Sequence, residues 1–356
     1  MKIAIMVKVK KKPQSGMSLV ELMVAMVIGL FLTAGVFTMF SMSSSNVTTT
    51  SQFNQLQENG RIALAIMERD ISQLGFMGDI TGTDFIVGTN TNVEVAALTS
   101  DCVGAGLNNA TLPDNKPAHF RRLWGYENTP TSEHLSCLNN GDVKDNTDVL
   151  QLKRFLGPSI SEGDSNAIYA ASNSSQAVFF VGKKPATTIE NARVWEYQHH
   201  IYYIANDTRG IPVLRRKRLT DVGMTENIND DQLVEGIENI QYLFGFDNDG
   251  DSTPDSFIPA SSVTALMWDN EGFQRLVAIK AFILVRAINQ DRSYTNETQY
   301  QLGDKTITIP ANDHYRRKIM STTIVLENPV LIRSSEESPD DLQINHQIRV
   351  EAHLVA

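Results

Sequence analysis

Several things are scarce in this sequence of 356 residues, and each absence removes a class of protein. There is no Pro/Gly tract and no extended charged tail, so wholesale disorder is excluded, and the apolar share suffices for a real core. Basic charge is in deficit. The formal net charge is −10, which argues against broad nucleic-acid binding, because phosphate contacts need a net basic face. H-E-x-x-H, G-x-S-x-G and the P-loop are absent, and Gly182-Lys183-Lys184 lacks the glycine that a Walker A loop needs. There is no internal repeat. Cysteine occurs only as Cys102 and Cys137. In an extracytoplasmic region the pair reads as one disulfide; two buried free thiols are the alternative.

Acidic residues are also missing from residues 1–16, where Lys2, Lys8, Lys10, Lys11 and Lys12 gather. Removal of that stretch would take five positive charges with it, moving the net charge from −10 to −15. Residues 17–40 then form a long run that is apolar apart from Ser18, Thr33, Thr38 and Glu21. About 24 residues make a helix of roughly 36 Å, enough to cross a bilayer with some tilt. Lysines before the run, with no basic residue just after it, put the N-terminus in the cytoplasm and the remainder outside. A buried core helix and an ordinary signal anchor are the rival readings. A secretory cleavage site after the run has only SMSSSNVTT as a loose candidate. Gly16 stands just before the run, and Glu21 is the fifth position counted from Met17. A carboxylate inside a membrane span is costly without a partner. A cut after Gly16 would create one: the new α-amino group of Met17, which on one subunit of a fibre could neutralise Glu21 of a neighbour.

The stretch Gly16-Met17-Ser18-Leu19-Val20-Glu21-Leu22-Met23-Val24-Ala25 resembles the class III leader and helix start of type IV prepilins. The resemblance implies cleavage between Gly16 and Met17 by a prepilin peptidase, N-methylation of Met17, and Glu21 as the assembly carboxylate. Met17 stands where the family most often has Phe, a departure that bears on methylation rather than on cleavage. The expected organisation is a cleaved basic leader (1–16), a transmembrane and assembly helix (17–40), its periplasmic continuation (41–78) and a head (79–356).

Residues 41–52 are rich in Ser and Thr and mark a polar exit from the bilayer. Phe53, Leu56, Ala63, Ile66, Met67 and Leu74 then recur near helical spacing, with Asn59-Gly60 as a candidate kink and an end near Gly75 and Gly78. From about residue 79 strands separated by Gly, Asn, Asp and Pro take over. The spacing predicts them at 148–155, 177–181, 195–204, 213–219, 240–246, 276–287, 306–309 and 318–326, with 206–212 as a hairpin loop. Residues 82–147 read as a loop-rich insertion without an obvious core, which a Cys102–Cys137 disulfide would pin. The fold class is therefore α+β and pilin-like: a long N-terminal helix packed on a β-rich head.

Leu233-Val234-Glu235-Gly236-Ile237-Glu238-Asn239-Ile240, then Phe244-Gly245-Phe246-Asp247, Trp268 and Val277 to Arg286, resemble the C-terminal half of the PilW family. These are minor pilins of type IV pili, similar in plan to pseudopilin J of type II secretion. The resemblance covers roughly residues 195–290; residues 79–150 and those after 300 match nothing. It implies a low-abundance, non-enzymatic subunit of an initiation or tip complex that primes polymerisation of the major pilin. Twitching motility, adhesion or DNA uptake would follow. The implied partners are other minor pilins, the major pilin, the prepilin peptidase, the inner-membrane assembly platform, and membrane lipid through residues 17–40. The implied location is the inner membrane before assembly and the pilus at the cell surface after it. A type II secretion pseudopilin and a signal-anchored, calcium-dependent adhesin are the alternatives.

No cofactor is required by this reading, but calcium has a candidate site. Asp247, Asp249, Asp251 and Asp255 stand at positions 1, 3, 5 and 9 of a loop with Gly250 at its turn. Such spacing can converge several oxygens on one hard cation. A solvated hairpin is the plainer reading. Arg215-Arg216-Lys217-Arg218 reads as a solvated edge strand. The adjacent His199 and His200 point to opposite faces and cannot share a metal.

Overall fold

The computed structural model describes residues 16–116, 119–132, 134–139, 141–224, 230–270 and 274–328, with Ser45 described by its backbone alone. The basic leader, apart from Gly16, lies outside the described residues. The chain divides into two compact units, residues 1–53 and 54–356.

In the first unit, helix α1 (Leu19–Ile71, which continues into the second unit) begins with the apolar run. Its large side chains, from Leu19 to Phe40, are exposed. The helix is long and apolar enough to cross a membrane. Thr33 and Thr38 donate their hydroxyls to the carbonyls of Gly29 and Ala34, one turn back, so even these polar groups present no unpaired donor.

The second unit holds the end of α1 and the head, whose strands are β1 (Thr91–Val93), β2 (Leu123–Glu127), β3 (Asp148–Ile160), β4 (Ile168–Ser172), β5 (Ala177–Val181), β6 (Arg193–Asn206) and β7 (Pro212–Arg218), followed by β8 (Asp230–Glu235), β9 (Ile237–Asp247), β10 (Ser256–Pro259), β11 (Arg275–Arg286), β12 (Tyr300–Leu302), β13 (Lys305–Ile307) and β14 (Arg317–Val325). A one-turn helix α2 (Ala265–Trp268) precedes β11. An eight-stranded sheet runs β1-β5-β4-β6-β3-β2, with β7 pairing β6 and β8. A four-stranded sheet runs β10-β9-β11-β14, and β12-β13 form a separate hairpin.

Leu56, Ala63, Leu64, Met67 and Ile71 of α1 recur at three- and four-residue spacing, so they share one face. They enter the same core as Leu150, Tyr202, Ile240, Tyr242 and Val285 from both sheets. Where Asn59-Gly60 suggested a kink, the helix runs unbroken. A Cβ on Gly60 would fall 3.0 Å from Val285 Cγ2 and closer still to Met320 Sδ. The glycine is there for close approach, and Asn59 Nδ2 donates to the Glu235 carbonyl at 2.9 Å beside it. Residues 82–147 contain β1 and β2. Rather than lacking a core, they lend Leu123, Trp124, Tyr126, Leu135, Leu138 and Val143 to the central one.

The passage from β8 to β9 crosses from one sheet to the other at Gly236, whose φ is +82°. Its N–H donates to the Pro212 carbonyl of β7, and its carbonyl accepts from Arg286 N of β11, each at 2.7 Å. A Cβ here would lie 2.7 Å from the Arg286 carbonyl oxygen. Gly236→Ala is expected to destabilise the head by at least about 1–2 kcal/mol from the left-handed backbone alone. Chemical denaturation of the two proteins measures this; equal midpoints would refute it.

One polar cluster is buried at the seam between α1 and the large sheet. Asp70 Oδ1 accepts from Arg154 Nε at 2.8 Å, and Asp70 Oδ2 accepts from Tyr202 Oη at 2.7 Å and from His200 Nδ1 at 2.5 Å. Burial alone would raise the Asp70 carboxyl, but the hydrogen bonds and charges of His200, Arg154 and Tyr202 outweigh it and hold the group well below the carboxylate range. A depressed folded value means that this stability is present above the unfolded value of about 3.9 and is lost as pH falls below it. Asp70→Asn leaves Arg154 buried and unpaired and should cost about 3–5 kcal/mol at neutral pH. By denaturant unfolding the deficit should shrink between pH 6 and pH 3; a pH-independent deficit would count against the assignment.

Candidate functional site

At the start of the chain Gly16 has open space around it: a Cβ added there would meet nothing within 4 Å. Met17 beside it is exposed. Within the first turn that follows, Glu21 Oε2 accepts from the backbone N–H of Ser18 at 3.0 Å. Ser18-x-x-Glu21 is thus one half of a capping box, closing an orphan donor at the mouth of α1. That local role was legible in the spacing, yet the fibre reading of the same carboxylate passes over it.

Cys102 and Cys137 are joined as a disulfide, with Cα atoms 4.8 Å apart, and both are buried in the central core. Around them Cys102 N donates to Thr111 Oγ1 and Thr111 N to Asp101 Oδ1, at 3.0 and 2.8 Å. The bridge fastens two loops beside β2.

The acidic loop between β9 and β10 brings Asp247, Asp249 and Asp255 together, with ligand oxygens within 4.8 Å of one another. Asp251 is not part of that group. Its Oδ1 accepts from Thr253 N at 2.7 Å and Thr253 Oγ1 at 2.6 Å. Asp247 takes the amides of Asp249 and Gly250 on Oδ1 and of Ser252 on Oδ2, and Arg275 Nη2 lies 3.1 Å from Oδ2. Desolvation pushes the Asp247 carboxyl up, but the Gly250 and Ser252 amides and the Arg275 charge prevail and lower it. The carboxylate therefore closes the turn with bonds that a cation would have to share or displace.

The basic run lies on β7, which is an inner strand between β6 and β8 rather than a solvated edge. Position within the sheet explains its charges. Arg215 pairs with Asp230 at 3.1 Å, and Arg216 and Arg218 with Asp231 at 3.2 and 2.6 Å, across β8. Neutralised in this way, the run offers no free basic stripe to phosphates. His200 turns to Asp70, while His199 Nε2 sits 2.8 Å from Gln151 Nε2, so the two imidazoles serve opposite faces of β6.

The described residues thus comprise one long N-terminal apolar helix and a β-rich head of several sheets, the α+β class expected from the sequence. Two stretches of the chain match known protein families. Residues 11–37 match the prokaryotic N-terminal methylation motif, and residues 201–328 match the family of type IV pilus-assembly protein W, PilW. Together these matches support a type IV pilus minor pilin of the PilW family. The second match reaches residue 328, beyond the stretch to about 290 in which the local motifs carry the resemblance. No curated protein and no solved structure matches the chain.

Proposed function

We propose that this chain is a subunit of the complex that initiates or tips a type IV pilus and primes polymerisation of the major pilin. A prepilin peptidase cuts between Gly16 and Met17, the new terminus is methylated, and the apolar half of α1 leaves the inner membrane for the fibre core. There Glu21 receives the α-amino group of a neighbouring subunit, while the head contacts other minor pilins. The observation that carries this reading is the exposed Gly16–Met17 step ahead of an exposed apolar helix, coupled to the methylation-motif match. Nothing in it calls for catalysis by the chain itself.

Mass spectrometry of the mature protein is expected to find a methylated Met17 as the first residue; an intact Met1 or a cut near Ser45 would sink the proposal. Glu21→Ala should leave that cleavage intact yet lower incorporation into surface pili, scored by immunoblot of sheared fibres. Undiminished incorporation would remove Glu21 from assembly.

Calcium enters the same proposal as a weak ligand of the β9–β10 loop, through Asp247, Asp249 and Asp255 with Arg275 displaced. Titration calorimetry on the full chain should show binding only at millimolar calcium, lost when Asp249 and Asp255 are both changed to Asn. Absence of any heat at that concentration retires the metal.

A further inference from the structure

Lys153, in the middle of β3, is completely buried. Its Nζ donates to Asn109 Oδ1 at 2.9 Å, to the Ala110 carbonyl at 2.7 Å and to the Arg121 carbonyl at 3.0 Å, and it stands 4.6 Å from the centre of the Phe120 ring. All three hydrogen bonds go to neutral carbonyl oxygens. Three donated bonds use all three N–H groups of the ammonium, whereas loss of water with no anion in direct contact among the described residues favours the neutral amine, which can keep two of them. Burial accordingly draws it down to about 7, against the opposing pull of Asp101.

Asn109 is also buried and tightly held. Its carbonyl accepts from Gly104 N at 3.2 Å, and its Nδ2 donates to the Ala105 carbonyl at 3.2 Å. Arg121 anchors the same loop through N to Asn108 O at 2.9 Å and Nη1 to Ala105 O at 2.7 Å. The disulfide at Cys102 closes the other end. Cγ of Asn109 is one bond from the oxygen that the amine already touches. Asp114 supplies a carboxyl whose charge is felt at Lys153, and its Oδ1 is buried without a hydrogen-bond partner among the described residues. Burial raises that carboxyl, with Lys116 opposing and Asp101 reinforcing. An amine and an amide carbon held within one hydrogen bond of each other out of water need no diffusional encounter to react, and such fixed proximity is a large advantage for an intramolecular reaction.

We propose that Lys153 and Asn109 close an intramolecular isopeptide bond. The neutral amine adds through its lone pair to Cγ of Asn109. The Nζ–Cγ bond forms and the Cγ–Nδ2 bond breaks. One proton passes from Nζ to Nδ2 through the carboxyl of Asp114, so that Nδ2 leaves as ammonia and Asp114 ends in the form in which it began. No oxidant or other reagent is consumed. The product joins the loop after Cys102 to β3 by a second covalent tie. A subunit pulled along a fibre would gain from such a tie, but the chemistry stands apart from the pilus reading.

The full chain, purified in detergent, reduced and weighed intact, is expected to be lighter than its processed sequence by one ammonia. A digest should yield a branched peptide that carries Lys153 and Asn109 together. Asn109→Ala and Lys153→Met should each restore the full mass and abolish the branched peptide. Asp114→Asn should keep the circular dichroism of the parent while most molecules retain the ammonia. A wild-type protein at full mass with no branched peptide overturns the proposal, and so does a mass loss that persists in Lys153→Met. The former result would leave Lys153 as an ammonium solvated by three carbonyls. The wild-type measurement decides the matter even where a variant fails to fold, and it does so whether or not the chain enters a pilus.

Discussion

The head depends on the crossing at Gly236, where one residue gives its N–H to the large sheet and its carbonyl to the small one. Strands β8 and β9 are almost continuous in sequence, yet they belong to different sheets. A chain can turn so sharply only through a left-handed residue, and only a residue without a Cβ clears the Arg286 carbonyl behind it. The next residues inherit the geometry. Glu238 sits within reach of Arg317 and Arg286, binding β9 to its neighbours as soon as it enters the small sheet. On the preceding side, Asn59 of α1 reaches the Glu235 carbonyl. The helix and both sheets are therefore tied within two residues of the crossing.

Those ties also fix how the second half of α1 lies on the head. A helix with an apolar stripe could roll or slide by a turn at modest cost, since hydrophobic burial is not directional. Three residues remove that freedom. Asn59 grips the crossing, Gly60 admits Met320 and Val285, and Asp70, about three helical turns further on, receives Arg154, His200 and Tyr202. A one-turn slide would strand a buried carboxylate and a buried guanidinium together. Such a cluster contributes little net stability over an apolar core of equal volume. Its effect here is to set register: every alternative placement of α1 carries an uncompensated charge.

Much of this was legible in the sequence. The strands β3, β5, β6, β7, β9, β11 and β14 stand out because β-branched and aromatic residues run on between clear turn residues. The strands β1, β2, β4, β8, β10 and β12 do not. In β2 the sequence Leu-Trp-Gly-Tyr-Glu breaks its own alternation at Gly125, which packs against Phe244 and Trp268 from distant parts of the chain. The same tertiary context turned the basic run into an inner strand. Local composition suggests solvent, and only the pairing with β8 shows Asp230 and Asp231 waiting opposite. For the acidic loop, spacing alone cannot tell whether an aspartate will face an ion or its own backbone amides. Asp251 faces Thr253 because the turn at Gly250 and Ser252 points it there.

Within the proposal, Glu21 takes part in two arrangements, which compete for one carboxylate. In the free chain its carboxylate closes the Ser18 N–H, a capping contact of about 0.5–2 kcal/mol at a helix end that also favours negative charge through the backbone dipole. In the proposed fibre the same oxygens meet a neighbour's terminal ammonium. Two unit charges 4 Å apart are worth about 4 kcal/mol at an effective dielectric constant of 20 and more where water is fully excluded. The second arrangement therefore outcompetes the first only when the neighbour brings a terminal cation to the seat of α1. Before the cut after Gly16 no such cation exists, because the nitrogen of Met17 is an uncharged amide. Within the proposal, processing would thus do more than remove a basic leader. It would create the charge that draws Glu21 away from its own cap, so that within this proposal an uncut subunit remains self-satisfied and a cut one becomes complementary to its neighbour.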